Sequence, residues 1–223
     1  MRGIRAIVFD AYGTLFDIAT IDDRLQQVFG EKAAAIASTW RQKQLEYSWL
    51  SGMMKRYKPF SSLTRDALGY ACKRHNAALT DTRADDLMQR YNQLEIYPEV
   101  ESALKSMQGL CQLAILSNAD APLLRAAIRY NRIDPYFEGV FSVDEIERFK
   151  PDPAVYELPA KGLGRKKEEL LFVSSNTWDT AGAKSAGLRV CWANRSDGMQ
   201  EELGLPADIR VADLEELAGE ILP

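Results

Sequence analysis

IRAIVFDAYGTL, residues 4–15, is a short apolar run that ends at an aspartate and continues into a turn. The apolar part, Ile4–Phe9, is typical of a buried β-strand. Asp10 follows the strand, Gly13 permits a sharp turn, and Thr14 can direct its hydroxyl back toward the carboxylate. Asp10 is therefore the first candidate functional residue. The alternative is that it merely ends the strand and caps a turn.

Three further short apolar runs predict buried strands, and helical patterns separate them. These runs are Gln112–Leu116, Leu170–Ser174 and Leu188–Ala193. A weaker strand is expected near Gly139–Val143 or Ile209–Val211. Strands that alternate with helices predict an α/β fold, with a parallel sheet covered by helices on both faces.

The spacing of the strands is uneven, because about a hundred residues separate the first from the second. Helical patterns fill this interval, over Lys32–Leu50, Thr64–His75 and Thr82–Leu94. We therefore predict a small helical domain of residues 18–95, inserted into a catalytic core of residues 1–17 and 96–223. The return linker is expected near Ile96–Glu99, at a proline.

Composition excludes several classes of function. The net charge of −4 and the lack of a strongly basic stretch argue against a nucleic-acid partner. No apolar run approaches the roughly 20 residues that span a bilayer, so no membrane association is expected. The three distant cysteines favour reduced thiols in a cytoplasmic protein. His75, the one histidine, is expected at the surface, which disfavours serine-type triads and histidine-rich metal sites.

Polar residues follow the predicted strands, where the carboxyl ends of parallel strands form one edge. They are Asp10, Ser117, Asn118, Ser174, Asn176 and Asp179, and Lys150 lies before a predicted Pro-Asp-Pro loop. Each residue also has an ordinary explanation. Ser117 and Asn118 suit a helix cap, a lone lysine is commonly solvated, and Asp179 suits a helix N-terminus. The alternative to these structural explanations is that the residues converge on one edge of the sheet and form a functional site there.

The order of these residues resembles the haloacid dehalogenase superfamily over essentially the whole chain. The shared pattern is an aspartate after strand one, Ser or Thr after strand two, a lysine, and then an acidic loop. The resemblance implies a Rossmann-like parallel sheet core with an inserted helical cap domain. That architecture agrees with the uneven spacing of the strands.

Departures from the phosphatases of this superfamily suggest the reaction. Tyr12 stands where they carry an acid–base aspartate, and Ser175 stands where an acidic residue helps to hold magnesium. Both departures weaken metal binding and protonation of a leaving group, and a halide needs no proton. The segment Trp40–Trp49, WRQKQLEYSW, resembles the cap helix of L-2-haloacid dehalogenases. On a helix, Arg41 and Leu45 share one face with Trp49, which places a cation beside apolar groups.

The resemblance implies hydrolytic dehalogenation of short-chain L-2-haloacids to D-2-hydroxy acids, without metal or cofactor. Asp10 would attack the halogen-bearing carbon and form an ester, which water then hydrolyses. Arg41, helped by Asn118, would receive the halide. Ser117, with the backbone amides near Ala11 and Tyr12, would bind the substrate carboxylate.

The resemblance also implies roles around the nucleophile. Lys150 would hold Asp10 charged and oriented, and Asp179 would pair with Lys150 and help to activate water. Tyr156 would line the site near Lys150. The residues that position water or stabilise the oxyanion would be Thr14, Ser174 and Asn176. The apolar wall would comprise Leu45, Phe60 and Trp178, although Phe60 and Trp178 also suit ordinary core positions.

Two other functions remain open at this point. One is a magnesium-dependent small-molecule phosphatase of the same superfamily, and the other is a non-catalytic binding protein on this fold. The resemblance further implies that the protein is a homodimer. It also implies that the small molecule it binds is a 2-halo carboxylic acid. Residues 194–206 match no function, and neither chain-length preference nor fluoride displacement follows from the sequence.

Overall fold

The computed structural model describes residues 3–221, so residues 1, 2, 222 and 223 of the predicted core lie outside the described part. Six parallel strands form one sheet in the order β3-β2-β1-β4-β5-β6. The strands are β1 Ala6–Phe9, β2 Gln112–Ser117, β3 Gly139–Ser142, β4 Leu170–Ser174, β5 Arg189–Ala193 and β6 Ile209–Val211. The predicted α/β fold is confirmed, and both weaker candidates are strands.

Nine α-helices accompany the sheet within residues 3–221. Four lie between β1 and β2: α1 Asp22–Phe29, α2 Ala33–Met53, α3 Phe60–Arg74 and α4 Asp81–Tyr91. The others are α5 Val100–Met107, α6 Ala121–Tyr130, α7 Leu158–Leu163, α8 Thr177–Ser185 and α9 Leu214–Ile221. The long interval is therefore helical, as its sequence pattern predicts. None of the helices described is long and apolar enough to cross a lipid bilayer.

Alternation along β1 explains why helices cover both faces of the sheet. Ile7 and Phe9 belong to one buried apolar cluster, while Ala6 and Val8 belong to another. Successive side chains of a strand point to opposite faces, so a strand that is apolar throughout must be covered on both. Because β1 lies between β2 and β4, its carboxyl end is flanked by the loops that follow those two strands.

Tertiary contacts shift the helix boundaries away from the predicted ones. α3 begins at Phe60 rather than at Thr64, because the Asp120 carboxylate accepts a hydrogen bond from the Ser61 amide at 3.2 Å. That contact satisfies a free amide of the first turn. His75, expected at the surface, is instead half-buried after α3, with Nε2 2.8 Å from the Thr39 hydroxyl.

The two segments that connect β1 to the helical interval, and the interval to α5, run side by side. The Asp17 amide donates to the Glu95 carbonyl at 2.7 Å, and the Tyr97 amide donates to the Leu15 carbonyl at 3.1 Å. Phe16 and Ile96 form an antiparallel bridge between these contacts. Residues 18–95 therefore leave and rejoin the rest of the chain at one place.

Candidate active site

Asp10 lies at the carboxyl end of the central strand, and its carboxylate is bonded on both oxygens. Oδ2 accepts hydrogen bonds from the Thr14 hydroxyl at 3.2 Å, the Ser174 hydroxyl at 3.2 Å and the Asn176 amide at 2.8 Å. Oδ1 accepts from Lys150 Nζ at 3.0 Å. Only 7% of Asp10 is exposed. The carboxylate is thus fixed in orientation, and its two oxygens lie in different environments.

Lys150 joins two carboxylates inside the protein. Its Nζ lies 2.8 Å from Asp179 Oδ2 as well as 3.0 Å from Asp10 Oδ1, and Tyr156 donates its hydroxyl to Asp179 Oδ1 at 2.7 Å. Burial disfavours the charged ammonium, but the two carboxylates outweigh it and raise the pKa of Lys150 above its usual range. Burial raises the pKa of Asp179 to about 6, although Lys150 opposes this shift.

Arg41 extends from α2 to the loop that follows β4. Its Nη2 donates to Asn176 Oδ1 at 3.0 Å, while Asn176 Nδ2 donates to Asp10 Oδ2. A Cβ added at Gly13 would lie 3.6 Å from Arg41 Nη2, and Gly13 has a φ of +86°. The absence of a side chain therefore lets the turn after β1 pass close beside the guanidinium.

A small cavity of about 30 Å³ faces Asp10. Its walls are formed by residues of α2, α3 and α4 and by residues at or after the carboxyl ends of the strands. The lining residues are Asp10, Tyr12, Arg41, Gln44, Leu45, Phe60, Tyr91, Ser117, Asn118, Ala119, Lys150, Asn176 and Trp178. Positive charge, amide groups and apolar side chains thus surround one carboxylate.

The cavity brings together most of the residues predicted for the site. Among the described residues, five predicted ones do not line it: Ala11, Thr14, Tyr156, Ser174 and Asp179. Four of these contact the site from behind: Thr14 and Ser174 donate to Asp10, Asp179 accepts from Lys150, and Tyr156 donates to Asp179. Ala11 is fully buried in the apolar cluster that covers one face of the sheet. The predicted apolar wall of Leu45, Phe60 and Trp178 does line it.

Tyr12, two residues after Asp10, faces an aromatic cluster. Its ring stacks on Tyr91 with the centroids 5.3 Å apart and contacts Phe16 at 5.6 Å. Burial raises the pKa of the Tyr12 phenol well above its usual range. Tyr12 therefore stays neutral near pH 7 and does not act as a base.

A model of the haloacid dehalogenase-like hydrolases matches residues 4–187. The chain belongs to this family. (S)-2-haloacid dehalogenase 2 of Pseudomonas sp. (strain CBS-3) is 42% identical over 218 residues, which are 97% of this chain and 95% of that protein. Haloacetate dehalogenase H-2 of Moraxella sp. (strain B) is 39% identical over 212 residues, 95% of each chain. The structure of L-2-haloacid dehalogenase from Xanthobacter autotrophicus, with chloropropionic acid covalently bound, superposes with a TM-score of 0.93, at 34% identity and 98% coverage of both chains.

Sequence reasoning missed several residues at the cavity of this haloacid dehalogenase-like hydrolase. Gln44 donates its amide to the Thr64 hydroxyl at 2.7 Å and to the Tyr91 hydroxyl at 3.1 Å. Both Gln44 and Tyr91 line the cavity, as does Ala119. The signal in the sequence for Gln44 was its place within one turn of Arg41. Tyr91 gave no such signal, because it lies on the apolar face of α4 like a core residue.

The two buried acids at the site of this haloacid dehalogenase-like hydrolase, Asp10 and Asp179, are bridged by a lysine. Within residues 3–221, no group of three or more His, Cys, Asp or Glu side chains lies close enough together to hold a metal ion. Asp10 and Asp179 share a cation, but that cation is the ammonium of Lys150. A lysine side chain thus supplies positive charge beside Asp10.

Proposed function

We propose that this protein hydrolyses short-chain L-2-haloacids to D-2-hydroxy acids, with Asp10 as the nucleophile. The observation that carries the proposal is the buried Asp10 carboxylate, fixed by four donors and facing a small cavity with Arg41 and an apolar wall. The relatives named as (S)-2-haloacid dehalogenases support the same reaction for proteins of similar sequence. Geometry and family therefore lead to one reaction class.

In the first step, a carboxylate oxygen of Asp10 attacks the halogen-bearing carbon in line. The carbon–halogen bond breaks, its electron pair leaves with the halide, and the carbon inverts as an ester forms. Arg41, helped by Asn118, stabilises the departing halide. Ser117 and the backbone amides near Ala11 and Tyr12 bind the substrate carboxylate.

In the second step, water attacks Cγ of Asp10. The Thr14, Ser174 and Asn176 donors all address Oδ2, so Oδ2 remains the carbonyl oxygen and carries the negative charge of the tetrahedral intermediate. The Cγ–Oδ1 bond then breaks, Oδ1 leaves as the hydroxyl oxygen of the product, and the water oxygen stays in Asp10. Asp179, paired with Lys150, helps to take up the proton that the attacking water loses. That proton then passes to the departing alkoxide.

The helical segment has a matching role in this proposal. Residues 18–95 form a cap domain over a core of residues 1–17 and 96–223, and the cavity lies where the two meet. Arg41 and Leu45 come from the cap, whereas Asp10 and Lys150 come from the core. Both parts are therefore needed for turnover.

We also propose that the enzyme is a metal-independent homodimer of the cytoplasm. Lys150 between the two carboxylates supports metal independence, since the ammonium supplies the charge that magnesium supplies in a phosphatase. The three free cysteines suit a reducing compartment. The homodimer rests on the family resemblance alone.

Halide release from L- and D-2-chloropropionate, measured with purified protein and EDTA, tests the proposed function. We expect chloride from the L form only, with D-lactate as the product. Magnesium-dependent release of phosphate from an aryl phosphate, without halide release, would instead establish the phosphatase alternative. A folded protein that releases neither ion would favour the binding protein.

Replacing Arg41 with alanine is expected to slow chloride release by about 10²-fold, because the departing anion loses its cation. Release of iodide should slow much less, since iodide leaves more readily without help. Rates of halide release from 2-chloro- and 2-iodopropionate measure the difference. Lys43→Ala, which removes a cation from the same helix, is the control and should change neither rate. An equal loss with both halides would contradict the halide role of Arg41.

The proposed reaction should show an acidic limb governed by Asp179. Because burial raises the pKa of this carboxyl to about 6, the charged form dominates above that pH and is lost below it. We expect kcat/KM to fall about tenfold for each pH unit below 6, because protonated Asp179 no longer pairs with Lys150 as an anion and Asp10 is then held less firmly for its attack. A profile of kcat/KM from pH 4.5 to 8 measures the limb. A kcat/KM that stays constant down to pH 5 would exclude it.

A further inference from the structure

Arg195 follows β5 in the stretch that the sequence left without a function, and its guanidinium makes contacts on every side. Nε and Nη2 donate to Glu99 Oε1 at 2.8 and 2.6 Å. Nη1 donates to the Ser175 hydroxyl at 3.0 Å, and Nη2 donates to the Thr14 carbonyl at 3.0 Å. The guanidinium carbon lies 4.0 Å from the centroid of the Tyr97 ring.

These contacts lead to the nucleophile in two steps. Ser175, which Arg195 holds by its hydroxyl, donates its backbone amide to Thr14 Oγ1 at 2.9 Å. Thr14 in turn donates that hydroxyl to Asp10 Oδ2. Arg195 therefore fixes both the backbone of Thr14 and the residue that orients its hydroxyl.

The same side chain also fastens the place where residues 18–95 rejoin the chain. Glu99 and Tyr97 lie in the return segment, and the Tyr97 amide is bonded to the Leu15 carbonyl. The side chains of Arg195 and Glu99 are only 18% and 14% exposed, so water screens their ion pair little. A planar fork with several donors suits this task, which a lysine ammonium would not perform equally.

We propose that Arg195 is a positioning residue for the second chemical step, acting through Thr14 on Oδ2 of Asp10; this rests on the proposed function. In the first step Asp10 loses negative charge, so hydrogen bonds to Oδ2 weaken. In the second step water attacks Cγ, and Oδ2 changes from a carbonyl oxygen to an oxyanion, so the same bonds strengthen. Loss of the Thr14 geometry therefore slows ester hydrolysis more than ester formation.

Arg195→Met and Glu99→Gln test the inference by rapid-quench measurement of chloride release and by intact-protein mass. We expect hydrolysis to slow by about tenfold in Arg195→Met, since complete loss of an oxyanion donor costs roughly 10²–10³-fold. Chloride should then appear in a burst of one equivalent per active site, and the protein should carry the mass of the ester. Glu99→Gln, which keeps the guanidinium, should slow ester hydrolysis by a smaller factor.

Arg165→Met is the matched control, because Arg165 donates to Gln112 at 2.7 Å and belongs to neither the site nor the linkers. It should keep wild-type rates without ester accumulation. The burst counts active sites, so partial unfolding of Arg195→Met does not imitate the result. Both steps slowed equally, or wild-type kinetics in both variants, would overturn the inference. Wild-type protein that releases no halide would overturn the proposed function itself.

Discussion

Replacing Asp10 with asparagine is expected to lower kcat for halide release by at least about 10⁴-fold, as removal of a nucleophile does in other hydrolases. The amide has nearly the same shape as the carboxylate, so the cavity is preserved. It carries no negative charge, however, and it is a poor nucleophile toward a saturated carbon. Release of chloride from L-2-chloropropionate measures the loss.

Asp23→Asn is the matched control for this substitution, because Asp23 is an exposed acid in α1. It should keep wild-type activity. Full turnover by Asp10→Asn would show that the nucleophile is assigned wrongly. Retained activity would also remove the basis for an ester intermediate.

The oxygen balance gives the same prediction an atomic readout. With enzyme in excess over substrate in H₂¹⁸O, the product hydroxyl should carry the original oxygen of Asp10, and the heavy oxygen should appear in the peptide that contains Asp10. Heavy oxygen in the product of a single turnover would mean that water attacks the substrate carbon directly. Asp10 would then be a base rather than a nucleophile.

Sequence reasoning located Asp10, Ser117 and Asn176 for a simple physical reason. The carboxyl ends of parallel strands meet at one edge, so a polar residue directly after each buried strand falls near the others. This convergence does not depend on the order of the strands in the sheet. The order is important only for distances, since β4 beside β1 brings the Ser174 hydroxyl within 3.2 Å of Asp10.

Residues whose importance arises from distant contacts were harder to find. Gln44 and Arg195 resemble ordinary polar residues in the sequence, and only the packing of α2 on α4, and of β5 beside β4, gives them their partners. The start of α3 was missed for the same reason, because its capping oxygen comes from Asp120, far along the chain. Local sequence patterns do not predict contacts between residues that are far apart in the chain.

Replacing Lys150 with methionine is expected to lower kcat by about 10³-fold and to destabilise the fold. Methionine fills a similar volume, but it leaves Asp10 and Asp179 as buried carboxylates without their shared cation. Removal of one partner from a buried ion pair typically costs about 3–5 kcal/mol. Urea denaturation at pH 8 measures the stability, and chloride release measures kcat.

The pH dependence of that stability separates electrostatics from packing. The pKa of Asp179 is about 6 with Lys150 in place, and Lys150 lowers it, so the folded variant should have a higher value still. A carboxyl whose pKa is higher in the folded than in the unfolded state binds protons preferentially when folded, so stability rises as the pH falls through that pKa. Lys150→Met should therefore recover much of its stability at pH 5.5. The double variant Lys150→Met/Asp179→Asn should regain stability at pH 8 without regaining activity. If Lys150→Met is destabilised equally at pH 5.5 and at pH 8, the cause is lost packing and not uncompensated charge.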